Sequence, residues 1–283
     1  MKTRIITSIV GLAVLALVLA FFETPVYNLV LACVSLIAIH EAYEAFQIRC
    51  PQVFAAFVPA VLWLFLGQEL FPGSVMWPVL YLLVLYVACV MIIRVHTLSF
   101  ASVSGMMVFA GMIVACFYSL LYLRSCFEQT WESLYAVLII LAFAWGGDSC
   151  AYFAGCALGK HKLAPEVSPK KTIEGAVGGV AGSVILGIVI TAVFSAVFGP
   201  NRLHEAYGAS YYVAIALIGA VSSVLGILGD LTASAVKRQC EIKDYGTIFP
   251  GHGGILDRFD SVMLIAPFIT ICVFLEQMWE MSL

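Results

Sequence analysis

Charge is what this sequence has least of. Asp, Glu, Lys and Arg make up 11% of its 283 residues and 63% are hydrophobic, whereas soluble domains run at about 25% charged and about 45–50% apolar. With a mean hydropathy of +1.04, a soluble globular domain is excluded and an integral membrane protein is indicated. The formal net charge of -3 says little, because in such a chain the placement of charges matters more than their sum. Aspartate is absent from residues 1–147. The carboxylates there are glutamates, such as Glu23, Glu69 and Glu128 near the ends of apolar runs, and Glu41 and Glu44 beside His40, where a ligand or partner role is open. No CxxC pair occurs among the nine cysteines, which argues against a zinc site or disulfide framework and for small apolar fillers between helices. No repeat, low-complexity tail or soluble domain is visible. The amino terminus lacks a small-residue cleavage pattern before Glu23, so its apolar run reads as an uncleaved first span.

What the chain does have is a series of apolar runs close to the about 20 residues that cross about 30 Å of hydrocarbon. They lie at about 5–22, 25–43, 53–67, 75–93, 101–123, 132–147, 173–198, 211–229 and 260–276. The expectation is an all-α polytopic membrane protein of about nine transmembrane helices in one bundle, with 1–130 as scaffold and 131–283 as the working region. Lysine and arginine accumulate in cytoplasmic loops. With the amino terminus inside, Lys2, Arg4, Arg49, Arg94, Lys160, Lys162, Lys170, Lys171, Lys237, Arg238, Lys243 and Arg258 fall on the cytoplasmic side, and Arg124 and Arg202 on the other. All five aspartates, Asp148, Asp230, Asp244, Asp257 and Asp260, fall in or beside two polar islands, 148–175 and 230–260, on that same side.

The second island begins at the end of the eighth run. Asp230, Ser234, Lys237 and Arg238 stand at i, i+4, i+7 and i+8, which places them on one helical face. A carboxylate at membrane depth faces a cavity or a partner, and an ion pair with its own basic neighbours is the simplest partner. Lys243, Asp244 and a Pro-Gly-His-Gly-Gly turn follow, in which glycines around His252 let backbone amides approach an anion, with Gly253 and Gly254 as the candidate phosphate seat. A ninth helix starting near Asp257 would carry Asp257, Asp260 and Ser261 on one face. A few carboxylates of this kind suit Mg²⁺, which takes one or two of them together with phosphates and water; a helix-dipole role for Asp260 is the plainer alternative. In the first island Ser168, Lys170, Lys171 and Thr172 precede a helix opening near Thr172, an arrangement that fits phosphate, or else anionic lipid head groups. Carboxylates for a divalent cation and bases for several phosphates at a cytoplasmic bilayer surface describe phosphoryl or nucleotidyl transfer to a lipid.

The segment SAVKRQCEIKDYGTIFPGHGGILDRFDS resembles the signature of the phosphatidate cytidylyltransferase (CDP-diacylglycerol synthase) family, through Ser234, Lys237, Arg238, Lys243, Asp244, Gly246, Pro250, His252 to Gly254, Asp257, Arg258 and Asp260. DSCAYFAGCALGKHKLAPEVSPKKTIEG is similar to the family's other recurrent stretch; the two cover about the last half of the chain. The resemblance implies transfer of CMP from CTP to phosphatidate in phospholipid biosynthesis, with Mg²⁺ held by Asp230 and Asp257, Asp148 and Asp260 as further candidate ligands, and K⁺ as a candidate companion cation. Lys237, Arg238 and Arg258 are then expected to act on the reacting phosphates, with Ser168, Lys170, Lys171, Thr172, Ser234, Lys243, Asp244, His252, Gly253 and Gly254 binding substrate. The expected setting is a bacterial-type inner membrane. Nucleic acid is not among the expected partners, and a homodimer is a candidate assembly. Two alternatives stay open on the residues alone: a CTP-dependent polyprenol or related lipid kinase, and an ion-coupled secondary transporter using Asp148 and Asp230.

Overall fold

A computed structural model describes residues 2–70, 76–200, 202–251 and 253–281. The backbone at Val75, where the fourth apolar run was expected to begin, and the whole of His252 lie outside the described residues, as do the side chains of Lys2, Arg4, Glu69 and Arg202. The described chain is helical apart from one short hairpin, and it is an all-α polytopic membrane protein. Its elements are α1 (Lys2–Ala20), α2 (Pro25–Ala45), α3 (Pro51–Leu70), α4 (Met76–Ile93), α5 (Phe100–Leu123), α6 (Thr130–Leu141), α7 (Gly147–Leu158), β1 (Lys162–Ala164), β2 (Ser168–Thr172), α8 (Ile173–Phe198), α9 (Arg202–Tyr207), α10 (Ala209–Gln239), α11 (Leu256–Phe259) and α12 (Val262–Met281).

Among the described residues, Pro25–Ala45, Phe100–Leu123, Thr130–Leu158, Ile173–Phe198 and Ala209–Gln239 are long and apolar enough to cross a membrane, and shorter apolar helices cover Ile9–Ala20, Pro51–Gly67, Trp77–Ile93 and Val262–Met278. Two expected boundaries shift. The sixth run does not stop at Asp148: a π-helical turn, Ala142–Gly146, joins α6 to α7, so Asp148 stands inside a longer helical rod. The ninth helix is broken, because α11 ends at Phe259 and α12 starts at Val262, so Asp257 and Asp260 do not share one continuous helical face.

The chain folds as two compact units, Met1–Leu121 with Val236–Phe259, and Tyr122–Ala235 with Asp260–Leu283. The first unit is built from α1 to α5 around Ile39, Phe65, Met106, Ile113 and Phe117, all essentially without exposure. It also holds the last turn of α10 and the loop to α11. In the second unit α7 and α8 pack closely through small residues. A Cβ at Gly178 would strike that of Ala154, and one at Gly182 would strike Cys150, the small-residue contact by which helices associate in lipid. Thr172 caps α8, its Oγ1 accepting the Gly175 N–H at 3.1 Å. Before it, β1 and β2 pair antiparallel, Ala164 opposite Ser168. Glu174 pins this hairpin by accepting the backbone N–H groups of Lys160 and His161 and by meeting His161 Nδ1 at 2.7 Å.

Candidate active site

In the first unit the polar centre is Asp257, 7% exposed on α11. Its Oδ1 takes the Lys237 ammonium at 2.8 Å, and its Oδ2 accepts the backbone N–H groups of Tyr245 at 2.8 Å and Gly254 at 2.9 Å. Lys237 reaches it from the last turn of α10 and lies 5.3 Å from the centroid of the Tyr245 ring, a cation–π contact. That ring is stacked on Phe109 of α5, so the lysine is steered by a fixed aromatic face. The turn between them closes through Phe249 N–H to Gly253 C=O at 2.9 Å. Gly253 has φ +85°, and a Cβ there would meet the Asp257 carboxylate; both conformation and space require glycine.

In the second unit Asp230, on α10, receives the Ser234 hydroxyl at 3.1 Å and forms an ion pair with Lys171 of β2. One turn of helix thus brings Ser234 back onto Asp230, as the i, i+4 spacing requires. The counter-ion comes from the hairpin, not from the basic residues of the same helix. Asp148 accepts the hydroxyl of Ser261 at 2.7 Å, and the Ser261 N–H is taken by Asp260 Oδ1 at 2.9 Å. The Asp260 backbone packs directly on Gly229. Asp148, Asp230, Asp260, Lys171, Ser234 and Ser261 are therefore gathered at one end of this unit, by the hairpin, α7, α10 and the start of α12.

The remaining candidates are mostly at the surface. Lys170, Arg238, Lys243, Asp244 and Arg258 have exposed side chains, and Ser168 is half-buried on β2. Thr172 has its hydroxyl engaged as a helix cap, and the Gly254 amide is engaged by Asp257. Burial pushes the Cys240 thiol up, so it is not a ready thiolate ligand.

The model of the cytidylyltransferase family matches residues 2–275. The chain belongs to that family. A phosphatidate cytidylyltransferase of Bacillus subtilis (strain 168) is 30% identical over 275 residues, spanning 95% of this chain and 96% of the relative. Phosphatidate cytidylyltransferases of Staphylococcus epidermidis (strain ATCC 12228) and Staphylococcus saprophyticus are 38% and 34% identical over 145 residues, 51% of this chain and 51% of each relative. Membership in the cytidylyltransferase family makes the chain a nucleotidyltransferase, which sets aside the transporter reading.

For a cytidylyltransferase the donor set matters. Among the described residues no three His, Cys, Asp or Glu side chains converge on one metal position. Asp230 and Asp257 instead each present a carboxylate already neutralised by one lysine. Mg²⁺ asks for no more than one or two carboxylates, the rest of its shell coming from phosphates and waters, so either aspartate would meet that requirement only once its lysine turned to another anion. Glu41, on α2, accepts the N–H groups of Ile255 and Leu256 at 2.9 Å each. The available signal was its position as a carboxylate in an apolar helix, which calls for a partner.

Proposed function

We propose that this chain is a phosphatidate cytidylyltransferase that transfers CMP from CTP to phosphatidate, giving CDP-diacylglycerol and pyrophosphate. About nine helices anchor it in a bacterial-type inner membrane, with the amino terminus and both polar islands cytoplasmic. The observation that carries the reading is the repeated carboxylate–lysine pair: Asp257 with Lys237 inside one stretch that resembles the family's motifs, and Asp230, just before that stretch, with Lys171 inside the other.

Each pair is suited to a substrate that brings its own negative charge. Asp257 is locked by two backbone amides on Oδ2, so its Oδ1 is fixed in direction. When phosphates arrive, Lys237 and Lys171 can turn from the carboxylates to phosphate oxygens, which bind lysine as a point charge. Asp230 and Asp257 would each then have a carboxylate oxygen to offer Mg²⁺, with Asp148 and Asp260 as further candidate ligands and K⁺ as a candidate companion. Bound there, the metal supplies neutralisation of charge on the attacking and leaving oxygens.

The phosphatidate phosphate enters from the cytoplasmic leaflet and attacks the CTP α-phosphorus in line. An oxygen–Pα bond forms, the bond from Pα to the bridging oxygen breaks, and pyrophosphate leaves with the electron pair. A phosphate monoester is already anionic at pH 7, its second pKa being about 6, so no side chain is asked to remove a proton. Lys170, Lys171, Lys237, Arg238 and Arg258 offset the charge that builds on the pyrophosphate. The test is the released product of the purified chain with CTP and phosphatidate. Pyrophosphate is expected; CDP would assign a lipid kinase instead.

A further inference from the structure

Glu41 sits in the last turns of α2 and is 5% exposed. A carboxylate buried among apolar helices needs its lone pairs filled. Here Oε1 accepts the N–H of Ile255 and Oε2 the N–H of Leu256. These two amides, with that of Gly254, are consecutive along the chain, and the Gly254 amide goes to Asp257. Two carboxylates thus grip one loop at adjacent positions, Asp257 holding Tyr245 and Gly254 and Glu41 holding Ile255 and Leu256. The loop also makes way for Glu41. A Cβ at Gly246 or at Gly254 would collide with the Glu41 carboxylate, and one at Gly246 would also crowd the Cα of Gly254.

We propose that Glu41 is a positioning residue for Asp257, and that Gly246 and Gly254 are glycines because its carboxylate occupies the space their side chains would fill. This deepens the proposed function and rests on it for the role of Asp257. The glycine at 254, expected from the sequence to bring backbone close to a phosphate, is explained by a carboxylate more than two hundred residues earlier in the chain. Glu41 touches no reacting group; it sets the direction in which Asp257 Oδ1 points.

The test uses the full chain purified in detergent. Glu41→Gln keeps the size of the side chain but turns an NH₂ donor toward one of the two amides. Supporting groups of this kind change activity or metal affinity by about 10–100-fold. The expected result is a kcat lower by about that factor, a several-fold higher Mg²⁺ concentration for half-maximal rate, and a KM for CTP within about twofold. Hydrogen exchange at amides 245–257 should quicken while that of α5 stays unchanged. A lower kcat with Mg²⁺ dependence and exchange unchanged reports only a smaller folded fraction and overturns the proposal, as does wild-type behaviour in all three. If Glu41→Gln fails to fold, Gly246→Ala in the otherwise wild-type chain decides, because its Cβ would strike the same carboxylate. It should lower the thermal midpoint and quicken exchange at the Ile255 and Leu256 amides; a normal midpoint with normal exchange overturns the proposal. Exchange and midpoint are read without substrate, so a wild-type chain that makes no product sinks the functional reading and leaves these two arms standing.

Discussion

Asp257→Asn is the most informative substitution, because size is kept while one buried charge disappears. Lys237 and Asp257 are 2.8 Å apart with side chains 13% and 4% exposed, and neutralising one partner of a buried pair costs about 3–5 kcal/mol. The Tyr245 face 5.3 Å from the Lys237 ammonium retains part of that lysine's stabilisation, worth about 0.5–2 kcal/mol. The loss should therefore sit near the lower end, at about 3 kcal/mol. Adding Lys237→Met removes the stranded charge, and the thermal midpoint should recover most of the way. Activity should not follow it. Losing about 4 kcal/mol of transition-state stabilisation is a rate lower by about 10³, at about 1.36 kcal/mol per tenfold. Pyrophosphate release in mixed micelles of detergent and phosphatidate should fall by at least that much in the single variant, and no less in the double, which also removes the Lys237 charge. Near-normal turnover in either, at a normal midpoint, would leave Asp257 a clasp for its loop and refute its place in the chemistry.

Two further outcomes follow from the second unit. Lys171 and Asp230 are each 23% exposed at the side chain but the Lys171 ammonium itself is buried, so Lys171→Met should lower stability by about 1–3 kcal/mol through the unpaired Asp230. It should lower kcat/KM by about ten- to a hundredfold, because a hydrogen bond between charged groups contributes about 1.5–3 kcal/mol; an unchanged kcat/KM would make Lys171 merely the counter-ion of Asp230. Thr172→Ala should cost about 1 kcal/mol of stability through the lost α8 cap, with Thr172→Ser restoring it. Turnover per folded molecule should hold steady in both, and a specific loss of turnover would return Thr172 to the phosphate site.

The helical content was legible because apolar runs of spanning length admit little else in a bilayer. So was the face of α10, since Asp230, Ser234 and Lys237 are fixed by helical spacing once the helix continues to Gln239. Their partners were not legible. Asp230 meets Lys171 and Lys237 meets Asp257, choices made by packing between segments apart in sequence, whereas helical spacing could offer Asp230 only the bases of α10. The hairpin was missed because three- and five-residue strands rich in lysine, one of them containing Pro169, carry no alternating apolar signal. The break before α12 was hidden too. Asp260 and Ser261 are compatible with a helix in sequence, but here the Ser261 N–H goes to Asp260 and its hydroxyl to Asp148. Glu41 was visible as an anomaly, and only the fold could supply the loop that it holds.

The central claim is that CMP, and not phosphate, moves from CTP to phosphatidate. It is tested by parallel incubations of the purified chain with phosphatidate and CTP labelled at either the α- or the γ-phosphorus, with and without Mg²⁺. Lipid-soluble label is expected from α-labelled CTP only, equimolar with released pyrophosphate and lost on chelation of the metal. Lipid-soluble label from γ-labelled CTP, accompanied by CDP, would contradict it.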